Sequence, residues 1–169
     1  MIYIKSGFTL IEAMVVIALF AIVATLGMMQ LSFLDDTITH AEVDKLATAC
    51  SYLQQKAIAS NSDQMLVCDT EKSSYRGDNV TENLSSRVCF GFLPNVLGSP
   101  GSPSRTITKA ITFADSSIHF YPTGTLSSGT VYLTDKHKKN MYALSNAVSQ
   151  VSYLRLYRYD GKWKLLGQE

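Results

Sequence analysis

The stretch that most limits how this chain folds runs from Ala13 to Ala24, AMVVIALFAIVA, and holds no polar side chain. Thr25 interrupts it, and Leu26, Gly27, Met28 and Met29 carry it on to Gln30. With Phe8–Ile11 ahead and Leu31–Leu34 behind, it reaches the ~20 residues with which a helix spans a bilayer. No proline breaks it. The core helix of a small domain has one apolar face; this run is apolar all round, which predicts a membrane helix. Charge is divided in the same way. Of 15 Lys and Arg and 14 Asp and Glu, only Lys5 and Glu12 fall before Asp35. The rest of the chain is built for water.

An ordinary secretory signal has a shorter apolar stretch followed by a small-residue cleavage site, and no such site follows this run. Residues 1–7, MIYIKSG, precede it instead, carrying Lys5 and ending in Gly7. The string Lys5-Ser6-Gly7-Phe8-Thr9-Leu10-Ile11-Glu12 resembles the processing signal of type IV pilins and type II secretion pseudopilins. That resemblance implies removal of residues 1–7 by a prepilin peptidase. The cut falls between Gly7 and Phe8, with N-methylation of the new N-terminal Phe8. It also implies a role for Glu12, whose counterpart in the family pairs with the N-terminal amine of a neighbouring subunit during assembly. The physics agrees: two opposite charges in a low-dielectric interior are costly apart and tolerable together. The competing reading places Glu12 in the headgroup zone, favoured by the positive end of its own helix.

After Gly27 neither Gly nor Pro occurs before Gly77. Leu46, Cys50, Leu53 and Ala57 recur at helical spacing, and Val43 extends their face backward. The membrane helix is therefore expected to continue as an amphipathic helix to about Ser60, roughly 80 Å from Phe8. Asn61-Ser62-Asp63 supplies the stop. Beyond it the apolar period changes. Met65–Cys68, Val88–Phe92, Ile107–Phe113, Ile118–Tyr121, Thr130–Leu133, Met141–Leu144 and Val151–Tyr159 read as strands. Asp160-Gly161 reads as a two-residue hairpin turn into Lys162–Leu166. The predicted class is α+β: a long N-terminal helix packed on an antiparallel sheet. The expected divisions are a leader over 1–7, a transmembrane assembly helix over 8–34, its amphipathic continuation over 35–61 and a β-rich head over 62–169.

Phe120-Tyr121-Pro122-Thr123-Gly124, followed by Gly129-Thr130-Val131, resembles the GspH/FimT branch of the family, where an F-x-P-x-G turn precedes a G-T-[IV] strand. Tyr142-Ala143-Leu144 and Arg155-Leu156-Tyr157 are similar to that branch's last strands. The branch's usual Gly-Arg near the end is replaced by Tyr153-Leu154-Arg155. The resemblance implies a minor pilin or pseudopilin. It would be inserted once through a bacterial inner membrane, with Lys5 on the cytoplasmic side and the head in the periplasm. From there it would assemble with other pilin subunits into a pseudopilus or pilus.

The periplasm is an oxidising space in which disulfides persist. Cys68 and Cys89 lie in strand-like runs flanking a polar loop, and a Cys68–Cys89 bridge is expected; the alternative is three buried thiols. Cys50 fits the apolar helical face. His40, His119 and His137 have no ligand-like spacing to the cysteines, so no metal and no cofactor are expected. Pro94–Ser104 reads as an exposed loop. Lys136, Lys138 and Lys139, around His137, form the one basic cluster and are the candidate nucleic-acid contact, with Arg155, Arg158, Lys162 and Lys164 near aromatic residues. A formal net charge of +1 argues against a generally basic nucleic-acid binder. No catalytic motif occurs, so the chain reads as the substrate of an enzyme. Two alternatives stand beside the pilin reading: a DNA-binding subunit of a competence pilus, and an uncleaved membrane-anchored domain.

Overall fold

The computed structural model describes the backbone of residues 9–99, 102–146 and 153–167, and the side chains within those ranges except those of 26–33, 99 and 102–104. Lys5, Gly7, Phe8, Val151 and Ser152 lie outside the described residues. The chain divides into two units, Met1–Leu34 and Asp35–Glu169. One helix, α1 (Leu10–Ser60), contributes to both.

Among the described side chains of the first unit, α1 buries almost nothing. Ile11, Met14, Val15, Ile17, Leu19 and Phe20 are all exposed. Successive residues of a helix turn by a fraction of its 3.6-residue repeat, so these side chains cover its whole circumference. Thr25, the polar interruption, turns its hydroxyl inward and donates to the carbonyls of Ala21 (2.6 Å) and Ile22 (3.0 Å). It therefore leaves no unmet hydroxyl donor. Among the described residues no helix is long and apolar enough to cross a membrane.

In the second unit the same helix is one-sided. Val43, Leu46, Cys50, Leu53 and Ala57 are fully buried, which is the face the spacing predicts. The helix ends at Asn61, which takes a left-handed φ of 48°. The Ser62 N–H then donates back to the Ala57 carbonyl at 3.2 Å. Asn fills here the position that glycine usually takes, because its short side chain tolerates that backbone.

Two antiparallel sheets follow. The first has the order β3-β2-β1-β7, built from β1 (Gln64–Asp69), β2 (Ser74–Gly77), β3 (Val80–Asn83) and β7 (Ser117–Phe120). The second has the order β11-β10-β9-β8-β4, built from β4 (Val88–Phe90), β8 (Gly129–Asp135), β9 (Met141–Asn146), β10 (Arg155–Tyr159) and β11 (Trp163–Leu165). The main core joins the helix face to Leu66, Ile118 and Phe120 of the first sheet and to Val131, Leu133, Tyr142 and Leu144 of the second. The architecture is the expected α+β layout of a helix followed by antiparallel strands.

Several local expectations change. Ile107–Phe113 is not a strand; only Ile111 makes an isolated bridge, to Val131. Its apolar residues are buried by an irregular path, so burial without pairing misled the strand reading. The Asp160 turn has a three-residue loop, since Tyr159 pairs with Trp163. Gly161 supplies the left-handed φ of 67° that such loops need. The Gly/Pro/Ser segment is not simply an exposed loop. It contains a small hairpin, β5 (Leu97–Ser99) with β6 (Ser102–Thr106). Val96 and Ile107 at its base are buried against Tyr132, Met141 and Ala143. The Trp163 indole N–H donates to the Gly98 carbonyl. The second sheet is thus covered on both faces, which is why β9 is buried at every position.

Candidate assembly site

The head of α1 is closed by a reciprocal cap. The Thr9 carbonyl accepts the first helical bond, from the Ala13 N–H at 3.2 Å. The Glu12 N–H donates to Thr9 Oγ1 at 3.3 Å. In return the Thr9 N–H and hydroxyl both donate to Glu12 Oε2 at 3.0 Å. This is a capping box, in which a threonine and a glutamate three residues on satisfy each other's end of the helix. Thr-x-x-Glu could have been read from the spacing. The signal is masked because a carboxylate at the head of an apolar helix also reads as an assembly charge. The cap places the carboxylate beside the backbone of Thr9, one residue from Phe8.

The start of the second unit is fastened by charge. Asp35 accepts from Arg87 Nη1 at 2.9 Å, and His137 Nε2 stands 4.0 Å from its other oxygen. Asp36 accepts from the Tyr142 hydroxyl on β9 and from Arg158 Nη2 on β10, each at 2.8 Å. The His40 ring lies against Tyr142, with centroids 5.5 Å apart. Burial, and then the Asp36 carboxylate, push the Tyr142 phenol well above its ordinary range. Arg158 thus joins the helix to β10, and Arg87 and His137 join it to segments flanking β4 and β8.

Beyond the helix, the F-x-P-x-G segment forms a turn. The Gly124 N–H donates to the Tyr121 carbonyl at 2.9 Å, with Pro122 in the second position where its fixed φ suits the bend. Gly124 itself has a φ of 79°. Its carbonyl accepts from Gln54 Nε2 of α1 at 2.6 Å. Gly129 opens β8 directly against Phe113; a Cβ there would stand 2.6 Å from the ring.

All three cysteines are free thiols. The expected Cys68–Cys89 bridge is not formed: Cys68 is on β1 of the first sheet and Cys89 on β4 of the second. Cys89 Sγ donates to the Thr134 carbonyl at 3.8 Å. Cys50 and Cys68 are both in the main core. Burial pushes the Cys68 thiol up to about 12 and the Cys50 thiol higher still. Among the described residues no cluster of His, Cys, Asp and Glu could hold a metal ion.

Lys136, His137, Lys138 and Lys139 all sit exposed in the β8–β9 turn. The turn is organised by Asp135, which is fully buried. Its carboxylate accepts from the Lys139 N–H at 3.1 Å and from the Asn140 N–H and Nδ2 at 2.8 Å.

A helix with a bare apolar first part, a capped carboxylate at its head and a two-sheet domain on its second part define a pilin-like subunit. The model of the prokaryotic N-terminal methylation motif matches residues 4–28. The model of the type II transport protein GspH matches residues 42–152, more than half of the chain. The chain belongs to the GspH family, and it is a type II secretion, type IV pilin-like pseudopilin. No curated protein matches it, and no solved structure does.

Proposed function

We propose that the protein is a minor subunit of a type II secretion pseudopilus or type IV pilus, supporting filament assembly and protein secretion. It enters the inner membrane as a single-pass protein through residues 8–34, with its head, 62–169, in the periplasm and 35–61 as the connecting amphipathic helix. A prepilin peptidase removes residues 1–7 between Gly7 and Phe8, and Phe8 is N-methylated. The chain is a substrate in that step, and its own work is mechanical.

The observation that carries this reading is the exposed apolar surface of α1 from Leu10 to Val23. Apolar surface of that extent marks a lipid or protein partner. Lipid covers it before assembly, and the helices of other subunits cover it afterwards. Glu12 then acts between chains. Its carboxylate already faces the backbone at Thr9, and cleavage creates a new amine next to it in sequence. The same carboxylate is within the reach of a neighbour's amine once helices pack side by side. Low dielectric makes that pairing the favourable state for both charges.

Mass spectrometry of the full chain produced with and without a prepilin peptidase tests the processing step. The expected product begins at a methylated Phe8 only when the peptidase is present. A chain that keeps Met1 beside an active peptidase would support the uncleaved anchor instead.

A further inference from the structure

The pairing register gathers unpaired positive charge at one end of the second sheet. Val88 is opposite Asp135, Thr134 opposite Met141, and Met141 opposite Tyr159. Arg87, the Lys136–Lys139 turn and Lys162 therefore share that end. The acids near it are already engaged. Asp135 is consumed by its own turn, Asp35 by Arg87, Asp36 by Arg158 and Tyr142, and Asp160 by Lys164 at 2.6 Å. None of Lys136, Lys138 and Lys139 has an ion-pair partner among the described residues.

This end is also where the second unit begins, at Asp35. The Lys136 N–H donates to the Arg87 carbonyl at 2.9 Å, and Arg87 in turn holds Asp35. His137 reaches the same Asp35. Asp35 follows directly on Leu34, the last residue of the apolar segment. The turn is thus tied, through Arg87 and His137, to the first residue of the second unit. Resting on the proposal that residues 8–34 span the membrane, we infer that the Lys136–Lys139 turn binds the anionic headgroups of the bilayer that holds the helix. A rigid turn suits this role, because Asp135 and the left-handed Lys138 (φ 52°) hold the lysines outward without further ordering. Covalent continuity with the membrane segment favours lipid phosphate over nucleic-acid phosphate as the anion met.

The test uses the full chain in nanodiscs of phosphatidylcholine alone or of phosphatidylcholine mixed with phosphatidylglycerol. Acylation of Lys136, Lys138 and Lys139 by a neutral amine-reactive ester is followed by peptide mass spectrometry. The inference expects acylation about five-fold slower at each lysine in the anionic discs, with the difference removed by high salt. Equal rates in the two lipids would overturn it while leaving the membrane reading intact. A chain that fails to enter nanodiscs would defeat the membrane reading and the inference with it. Protection by a duplex oligonucleotide in phosphatidylcholine discs, with none from phosphatidylglycerol, would overturn it in favour of a nucleic-acid partner.

Discussion

The two ends of α1 meet the same problem in opposite ways. Between Val43 and Ala57 the helix keeps its apolar residues on one face, and two sheets of the same chain bury them. Between Leu10 and Val23 it carries apolar residues on every face, and they stay exposed. A one-sided stripe can be covered by a single small domain; an all-round one cannot. The stripe from Val43 to Ala57 is covered within the chain, and the apolar surface from Leu10 to Val23 is not. Glu12 sharpens the contrast, because its partner within the chain is a cap at the helix end, whereas Asp35 and Asp36 find arginines on their own head.

The largest expected effect lies in the core. Leu53→Ala should destabilise the head by about 2–5 kcal/mol in urea unfolding followed in detergent, because Leu53 is fully buried. Ile17→Ala, 69% exposed, should leave that midpoint unchanged. A loss at Ile17 equal to that at Leu53 would break the division into self-sufficient and dependent regions. Gly129→Ala comes next, at roughly 1–3 kcal/mol, because the new methyl would press on Phe113.

A smaller effect belongs to the clamp. Tyr142→Phe should cost about 1 kcal/mol, and less when Asp36 is already Asn. Additive losses in that double-mutant cycle would show that the hydroxyl and the carboxylate do not act together. The thiols show their effect only at alkaline pH. The folded Cys68 thiol is raised from an ordinary 9.0 to about 12. The unfolded chain therefore gives up this proton first as pH rises. Its contribution to stability is complete below pH 9 and declines between pH 9 and pH 12. Cys68→Ala should flatten stability over that window. In the native protein Cys89, the half-buried thiol, should be alkylated before Cys50 and Cys68; simultaneous labelling of all three would contradict their burial.

Much of this division could be read from the residues alone. The all-round apolar run and the spacing Leu46, Cys50, Leu53, Ala57 are local signals, and local signals survive without a structure. The Gly124 turn and most long strands were legible for the same reason. The β2–β3 hairpin was not. Across Ser74–Gly77 and Val80–Asn83 only Tyr75 is buried, so no alternation announces it. The Asp35 and Asp36 clamp was equally hidden, since its partners lie 52, 106 and 122 residues away. The cysteines misled because two strand-like runs in sequence belong to different sheets.

We propose that the first part of α1 is finished by other subunits, with Glu12 supplying one half of an interchain pair. Incorporation of Glu12→Ala into sheared filaments, in cells that also make the peptidase and the other subunits, tests it most directly. The account predicts a processed chain that starts at Phe8, remains in the membrane fraction and is depleted from filaments relative to the unaltered protein. Normal incorporation of processed Glu12→Ala would contradict it.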